Sequence, residues 1–425
     1  MVDVSLTSAR YDAPQRDRAC DLDRVGAVHM ASYVLGALLI GLGLVAPMVT
    51  LRYPRSKFGG KLRTGTITAT SANTRVAWAC ETLGSLACLE QKEEPLPAMA
   101  DDECVIGVKA IGLNYADVFC VLGLYEAANK FLKDSGEGAL VPGLEFSGEV
   151  LQAGKGVTKF KKGDRVYGFT RFGAYRTKVV AREKLLQPMP SDWSYAEGAA
   201  LLVQGLTAWH GLVVLGNAKA GSSVLVHSAA GGVGCAALQI CETLGCTSVG
   251  VVGSDKKIGF LKERYPSCTP LVRAKERKYK KQLDEVGKEY DVVLESLGGR
   301  YLTAALDHVE PMGRLVHFGA THAYGGTGVD GLLKWLKLIP NYLARPLLDP
   351  GKMVPKNQAV FGFNLIWLTE REDELTVELN DMLTRGGLNK RPPAVGRTFP
   401  FSELPAAVDH LRSGDSVGKV VVTVD

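Results

Sequence analysis

Six small residues at positions 229–234, with the sequence A-A-G-G-V-G, have the composition of a phosphate-binding turn. Glycine lets the backbone approach an anion closely, and a helix that starts there adds free N–H groups and a partial positive charge. Such a turn suits the pyrophosphate of a dinucleotide cofactor, whose nicotinamide ring would take part in hydride transfer. We therefore predict cofactor contacts from Ala230, Gly231, Gly232, Val233 and Gly234.

The choice of dinucleotide depends on the residues that follow the next predicted strand. A carboxylate about 20 residues after the glycines would hold the ribose hydroxyls of NAD, and Asp255 is the candidate for that role. The same residue could instead cap a helix. Ser254 and Lys257 offer a hydroxyl and a positive charge that suit a 2′-phosphate. We therefore favour NADPH as the cofactor.

Strands and helices are predicted to alternate around these residues. A β-branched, aliphatic strand at 222–227 leads into the glycines, and the helix after them ends at Gly245. Further strands and helices follow in turn at 247–253, 255–265, 291–295, 301–309 and 314–318. This alternation predicts an α/β domain with a parallel, doubly wound sheet of the Rossmann type.

Composition and charge exclude other classes of protein. Of the 425 residues, 46% are hydrophobic and 22% are charged, as in ordinary globular proteins. Residues 1–73 carry a net charge of +4 out of +5, so the nearly neutral remainder offers no electrostatic case for nucleic-acid binding. The basic run at 273–281 is followed by acids and is interpreted as a solvated helix face. The nine cysteines include no C-x-x-C pair, which favours a reducing compartment over a disulfide framework.

The segment 25–51 contains 27 residues without an Asp, Glu, Lys or Arg, which is long enough to span a bilayer. We predict that it anchors the protein to a membrane. The alternative is a targeting segment that is cleaved, leaving a soluble cytoplasmic or organellar protein. Because a domain that uses NADPH and carries unpaired cysteines suits the cytosol, we expect the catalytic part to face the cytoplasm.

Family motifs recur in order from about residue 74 to the C terminus. They include G-L-N-Y-A-D (112–117), V-P-G-L-E-F-S-G-E-V (141–150), K-K-G-D-R-V-Y (161–167), A-A-L-L-V-Q-G-L-T-A-W (199–209), V-H-S-A-A-G-G-V-G (226–234), L-E-S-L-G-G (294–299), V-F-G-F-N-L (360–365) and V-G-K-V-V-V (417–422). With these motifs the chain resembles the zinc-independent quinone oxidoreductase (zeta-crystallin-like) branch of the medium-chain dehydrogenases/reductases. The likeness is closest to the vesicle amine transport protein-like members of that branch.

The resemblance implies an arrangement of domains. A Rossmann NADPH-binding domain at 206–344 would be inserted in a GroES-like, mainly antiparallel β catalytic domain made of 74–205 and 345–425, after an N-terminal extension at 1–73. The active site would lie in the cleft between the two domains, and members are commonly homodimers. By the same resemblance, further cofactor contacts are expected at Thr207, Ser296, Phe318, Gly319 and Lys419.

Two positions determine the chemistry that the resemblance implies. Asn114 stands where zinc-dependent relatives carry a cysteine, and Leu144 replaces the histidine of their G-H-E motif, so no metal site is expected. Without a Lewis acid, the expected reaction is hydride transfer from NADPH to a quinone or an α,β-unsaturated carbonyl compound, which delocalises its own developing charge. Asn114 and Tyr125 are the predicted catalytic residues, whereas Phe119 stands where many members have a second tyrosine.

Other interpretations stay open. A 2-enoyl thioester reductase would need basic residues near the cleft for a phosphopantetheine or coenzyme A tail. A membrane-attached NADPH-binding scaffold with little turnover would fit the predicted anchor and Phe119. His210 and His227 are interpreted as structural residues, and the amphipathic stretch 331–345 as a cleft flap or dimer contact rather than a lipid-binding surface.

Overall fold

A parallel and an antiparallel β-sheet organise residues 64–65, 67–136, 138–321 and 346–425, which are the residues described by a computed structural model. All of them belong to one unit, Gly59–Asp425. The predicted membrane segment 25–51 and the amphipathic stretch 331–345 lie outside the described residues.

Strands and helices follow each other along this unit. The strands are β1 (Thr74–Ala79), β2 (Glu90–Pro95), β3 (Glu103–Gly112), β4 (Glu145–Ala153), β5 (Arg165–Phe169), β6 (Lys178–Arg182), β7 (Leu186–Pro188), β8 (Ser223–Val226), β9 (Thr247–Val252), β10 (Cys268–Val272), β11 (Tyr290–Glu295), β12 (Val309–His317), β13 (Ala359–Gly362), β14 (Val395–Pro400) and β15 (Lys419–Thr423). The α-helices are α1 (Tyr115–Val121), α2 (Glu126–Ser135), α3 (Tyr195–Gly198), α4 (Leu202–Trp209), α5 (Gly232–Leu244), α6 (Ile258–Arg264), α7 (Glu276–Val286), α8 (Gly299–Leu306), α9 (Pro350–Met353), α10 (Glu372–Thr384) and α11 (Leu404–Ser413).

The parallel sheet has six strands in the order β10-β9-β8-β11-β12-β13. Its central strand β8 is apolar and buried at Val224, Leu225 and Val226 because both faces of the sheet are covered. Val224 and Val226 lie in one hydrophobic core with α5, whereas Leu225 lies in a second core with α7 and α8. The predicted doubly wound Rossmann sheet is confirmed.

The antiparallel sheet has the order β14-β15-β3-β4-β5-β7, and β6 also pairs with β3. Every neighbouring pair is antiparallel except β14 and β15, which are parallel. The sheet borders its own hydrophobic core, which includes Ile106, Phe146 and Val422. The predicted GroES-like, mainly antiparallel domain is confirmed as a second sheet beside the parallel one.

The predicted boundary at residue 345 needs a correction. Strand β13 pairs in parallel with β12 and forms the edge of the Rossmann sheet, and α10 packs against α4 beside the same sheet. From the C-terminal part, only β14 and β15 join the antiparallel sheet. The short apolar pattern of β13 would suit either sheet, so its partner strand could not be predicted from the pattern. The other domain boundaries remain predictions.

The cysteines also depart from the expectation of a fully reduced set. Cys80 at the end of β1 and Cys88 in the following turn form a disulfide, with their Cα atoms 5.0 Å apart. The spacing of eight residues matches no common motif, and the loop after β1 brings the two together. Cys104, Cys120, Cys235, Cys241, Cys246 and Cys268 are free and buried.

One helical stretch within the described residues, Tyr195–Leu215, is long and apolar enough to cross a membrane. Its most apolar window is 78% buried inside the protein. Leu206 and Leu212 of this stretch lie in the same core as the helix after the glycine-rich turn. The stretch is therefore apolar because it packs in the core of the protein.

Candidate active site

The glycine-rich turn joins β8 to α5, as the sequence predicts. Gly231 precedes the first helical residue, Gly232, in an extended conformation, and no side chain caps the helix start. A Cβ atom on Gly234 would lie 2.4 Å from the carbonyl oxygen of Ser228 and 2.5 Å from the Cα atom of Ala229. The close approach of helix and strand therefore requires glycine at 234. The first N–H groups of α5 have no helical partners and suit an anion.

A cavity of about 450 Å³ borders this turn. Nine of the twelve residues predicted to bind the cofactor line it, namely Ala230, Gly231, Gly232, Val233, Gly234, Lys257, Ser296, Phe318 and Lys419. Thr207 and Gly319 line a second cavity, which shares Val233, Ser296 and Phe318 with the first. Ser254 lines neither cavity. We call the first the cofactor cavity and the second the acceptor cavity.

Lys257 and Asp255 follow β9 closely but have different surroundings. Lys257 Nζ donates hydrogen bonds to the carbonyl oxygens of Gly414 and Ser416, each at 2.8 Å. Burial lowers the pKa of Lys257. Asp255 accepts a hydrogen bond from the N–H of Lys256 at 2.9 Å and does not line the cavity. Asp255 therefore stabilises a local turn, and Lys257 holds the C-terminal loop beside the cavity.

Arg273 is a cavity residue that the sequence analysis missed. It follows β10, lines the cofactor cavity and places its guanidinium beside Gly253, with Nη2 3.6 Å from where a Cβ would stand on that glycine. The guanidinium carbon lies 5.1 Å from the centre of the Tyr301 ring. The sequence analysis assigned Arg273 to a solvated helix face, but the helix begins only at Glu276. Its position directly after β10, at the carboxyl end of a strand of the parallel sheet, was the signal that could have indicated the cavity.

Asn114 belongs to a buried polar network between the two cavities. Lys419 forms an ion pair with Glu145, with Nζ 2.7 Å from Oε1, and donates to Asn114 Oδ1 at 3.0 Å. Gln204 Nε2 donates to the same Asn114 oxygen at 2.8 Å and to Glu145 Oε1 at 2.6 Å. Asn114 Nδ2 donates to Glu145 Oε1 at 3.0 Å. Because Oδ1 accepts from two donors, the orientation of the Asn114 amide is fixed.

The network holds a charge pair in the protein interior. Glu145 is 1% exposed and Lys419 is 3% exposed. Burial lowers the pKa of Lys419, while the attraction to Glu145 opposes that shift. The sequence analysis predicted Asn114 and Lys419 but missed Glu145 and Gln204. Glu145 begins the largely buried strand β4, and a buried carboxylate needs a hydrogen-bonding or charged partner. That requirement was the sequence signal that could have indicated the network.

The acceptor cavity has a volume of about 430 Å³ and a mainly apolar wall that includes one histidine, His317. Aromatic and aliphatic side chains dominate, including Phe119, Leu144, Phe318, Phe363 and Ile366. Among the described residues that line it there is no Asp, Glu, Lys or Arg. The cavity therefore suits a neutral, largely apolar molecule.

Tyr125 supplies a hydroxyl to this cavity. Its hydroxyl donates to Asn364 Oδ1 at 2.8 Å. Burial raises the pKa of Tyr125, so the hydroxyl stays protonated as a hydrogen-bond donor. Phe119 packs edge-to-face on Tyr115, with ring centres 5.1 Å apart, and brings no second hydroxyl. The sequence analysis did not single out Asn364, because its contact with Tyr125 spans 239 positions.

The positions that hold zinc in related dehydrogenases carry no ligand set in the described residues. Asn114 offers an amide and Leu144 a hydrocarbon side chain at the acceptor cavity. In the described part of the chain, no group of three or more His, Cys, Asp or Glu side chains is arranged to hold a metal ion.

Comparisons with known proteins agree with this architecture. The alcohol dehydrogenase GroES-like domain family matches residues 100–191, and the zinc-binding dehydrogenase family matches residues 272–422. The synaptic vesicle membrane protein VAT-1 homolog of Mus musculus is 30% identical over 338 residues, which cover 79% of this chain and 79% of that protein.

Two solved structures are also similar. The CurK enoyl reductase is 26% identical with a TM-score of 0.67, and the alignment covers 83% of this chain and 99% of that chain. A quinone oxidoreductase of Pseudomonas syringae is 27% identical with a TM-score of 0.65, and the alignment covers 82% of this chain and 99% of that chain.

Proposed function

The chain belongs to the medium-chain dehydrogenase/reductase superfamily, and from this premise we propose that it is an NADPH-dependent, zinc-independent reductase of quinones or α,β-unsaturated carbonyl compounds. The observation that carries the proposal is the pair of adjoining cavities. One is bordered by the glycine-rich helix start, and the other is lined by mainly apolar residues. A dinucleotide in the first would bring its reactive ring to the wall that the two cavities share.

The residues of the shared wall and the acceptor cavity suit a conjugated acceptor. When bound, NADPH supplies the hydride. A quinone or enone spreads the resulting negative charge over its own π system, so the protein needs to orient the acceptor and offer hydrogen-bond donors. The Tyr125 hydroxyl, which now donates to Asn364, can donate to a carbonyl oxygen instead. The amide of Asn114, whose orientation is fixed, can hold the nicotinamide ring or the acceptor in position.

Two cations support NADPH over NADH. Arg273 and Lys257 both line the far end of the cofactor cavity. No carboxylate of the described chain forms an ion pair with Arg273, so its planar guanidinium can bind a phosphate through two hydrogen bonds. Asp255 lies outside the cavity lining, which removes the acidic residue that would favour NADH. We assign the 2′-phosphate contact to Arg273, with Lys257 as a neighbouring positive charge.

Reduction of a 2-enoyl thioester is the second candidate, and its support is the similarity to the CurK enoyl reductase. A neighbouring surface cavity shares Phe169 and Thr369 with the acceptor cavity and carries basic residues. Arg171 pairs there with Glu370 at 2.9 Å, and Arg182 and Lys184 both pair with Glu372 at 2.8 and 2.5 Å. Because acids already neutralise these cations, the surface offers little net attraction to the phosphates of a thioester carrier.

Oxidation of NADPH by the full-length protein tests the proposal. We would compare 1,4-naphthoquinone, a simple enone and a trans-2-enoyl thioester, and measure NADPH binding separately. Faster oxidation with the quinone or enone supports the proposed reaction, whereas preference for the thioester favours the second candidate. Bound NADPH that none of the three acceptors oxidises would favour a cofactor-binding scaffold.

Membrane attachment and self-association belong to the same proposal. We propose that segment 25–51 anchors the protein, that the described unit faces the cytoplasm, and that the protein forms a homodimer. The apolar run supports the anchor, and the relatives named synaptic vesicle membrane proteins agree with it. Deletion of residues 1–60 should release the protein from sedimenting vesicles, and light scattering of the released protein gives its mass. Continued sedimentation would contradict the anchor.

A further inference from the structure

Glu295, at the end of β11, is fully buried and accepts four hydrogen bonds. The N–H groups of Leu297 and Gly298 donate to Oε1 at 2.7 and 2.9 Å. His227 Nδ1 lies 3.2 Å from Oε1, and His317 Nδ1 lies 2.5 Å from Oε2. Burial alone would raise the pKa of Glu295, but the hydrogen bonds from the two histidines outweigh it and lower the pKa to about 2. Glu295 is therefore an ionised carboxylate inside the protein.

The two histidines that bind Glu295 have different surroundings. His227 is fully buried, and its Nε2 lies 2.8 Å from the hydroxyl of Tyr279, so both ring nitrogens have partners. The side chain of His317 is 31% exposed and borders the acceptor cavity. Within the described part of the chain, no group forms a hydrogen bond with Nε2 of His317. Since Nδ1 is held by the buried carboxylate, Nε2 lies on the opposite edge of the ring, away from Glu295.

His317 is also close in sequence to the wall that the two cavities share. Strand β12 ends at His317, and the next residue, Phe318, lines both cavities. The N–H of Phe318 donates to the carbonyl oxygen of Glu295 at 3.0 Å, so the backbone also fixes the position of the histidine beside its carboxylate. A carboxylate that binds one ring nitrogen orients an imidazole and stabilises its protonated form.

We infer that His317 is the general acid of the reaction, and that Glu295 positions it; this inference rests on the proposed reductase function. Tyr125 fits the role less well, because its hydroxyl is a hydrogen-bond donor whose pKa burial raises. An imidazolium is in general a stronger acid than a phenol. The inference assigns hydrogen bonding to Tyr125 and proton transfer to His317.

The reduction of a quinone to the neutral hydroquinone consumes one proton, which such a group can supply. The C4–H bond of NADPH breaks and its hydride bonds to one quinone oxygen, so that NADPH becomes NADP+ and an electron pair moves onto the other quinone oxygen to give the hydroquinone monoanion. The Nε2–H bond of the His317 imidazolium then breaks, and its proton bonds to that oxygen to give the neutral hydroquinone. His317 becomes a neutral imidazole and regains a proton from water, which its partial exposure allows.

The test compares two quinones whose hydroquinones differ in acidity. Tetramethyl-1,4-benzoquinone gives a basic anion that must be protonated, whereas tetrachloro-1,4-benzoquinone gives a weakly basic anion that can leave without a proton. For His317→Gln in the full-length protein, we expect turnover with the tetramethyl quinone to fall by roughly 100-fold, the size typical of losing a general acid. Turnover with the tetrachloro quinone should change by less than about threefold, because that reaction does not need the acid.

His308→Gln is the matched control, since His308 also pairs with an acid, Asp284, at 3.2 Å but lines neither cavity. It should leave both rates unchanged. If His317→Gln does not fold, His317→Ala with added imidazole replaces it, and recovery of the tetramethyl quinone rate supports the same role.

The possible outcomes distinguish the role of His317 from the proposed reductase function. Equal losses with both quinones, or no loss with either, would overturn the assignment of His317 while leaving the reductase function intact. A wild-type protein that oxidises NADPH with neither quinone would overturn the proposed function and the role of His317 together.

Discussion

The two cavities are built from different parts of the chain. The phosphate-binding turn of the cofactor cavity is formed by the backbone of one continuous segment, where Gly231 precedes α5 and Gly234 lies against the turn, and residues of other segments complete the lining. The acceptor cavity is formed by side chains from distant segments, as the contact between Tyr125 and Asn364 illustrates. The free N–H groups at the start of α5 suit the pyrophosphate of the cofactor, which is the same whichever acceptor is reduced. The shape and polarity of the acceptor cavity depend instead on its individual side chains. Substitutions among the side chains of the acceptor cavity should therefore change turnover while NADPH binding is retained.

The largest expected effect lies where the two cavities meet. Lys419→Met would leave Glu145 buried without its ion-pair partner, and removal of one member of a buried pair costs about 3–5 kcal/mol. Urea unfolding should show a loss of that size. The double variant Lys419→Met with Glu145→Gln should recover most of the stability, because no unpaired charge remains. A single variant as stable as the wild type would mean that the network does not hold the two cavities together.

The next prediction tests the close packing of the backbone at the glycine-rich turn of the cofactor cavity. Gly234→Ala places a Cβ 2.4 Å from a carbonyl oxygen, and such overpacking costs about 3 kcal/mol. We expect a lower unfolding midpoint and weak NADPH binding. Gly259→Ala is the matched control, because a Cβ there meets no atom within 4 Å. Equal behaviour of the two variants would contradict the tight packing of α5 against the turn.

Tyr125→Phe tests whether a side chain of the acceptor cavity donates a hydrogen bond to the acceptor. Removal of the hydroxyl should lower kcat with naphthoquinone by roughly 100-fold, the size typical of losing one donor to a developing oxyanion. The Kd for NADPH should not change, because Tyr125 does not line the cofactor cavity. Tyr195→Phe, which removes a hydroxyl bonded to Glu149 away from both cavities, is the control. Wild-type turnover in Tyr125→Phe would remove that hydroxyl from the mechanism.

The smallest effect concerns the choice between NADPH and NADH. Arg273→Ala should weaken NADPH binding by about tenfold, as expected for loss of one charged hydrogen-bond donor, and leave NADH binding unchanged. Lys257→Ala should affect both cofactors more evenly, because Lys257 also holds the carbonyl oxygens of Gly414 and Ser416. Titrations of both variants with both cofactors measure the difference. Equal losses for NADPH and NADH in Arg273→Ala would contradict the phosphate contact.

The difference between the cavities also explains what the sequence could predict. The glycines of the turn and the alternating strands are local patterns, so the Rossmann sheet and the phosphate-binding turn followed from adjacent residues, whereas Ser296, Phe318 and Lys419 followed from the family resemblance. Asn364 and Gln204 act through contacts across 239 and 90 positions, and no local pattern indicates such contacts. Arg273 was assigned to the wrong element because its basic neighbours resemble a solvated helix. Strand β13 was placed in the wrong sheet because its short apolar pattern fits either one.

The central claim is that the free N–H groups at the start of α5 bind the pyrophosphate of NADPH. Isothermal titration of the full-length protein with NADPH, followed by the same titration of Gly234→Ala, tests it most directly. We predict saturable binding at one site per chain for the wild type and much weaker binding for the variant. A well-folded wild-type protein that gives no binding heat with NADPH, NADP+, NADH or NAD+ at two temperatures would contradict the account.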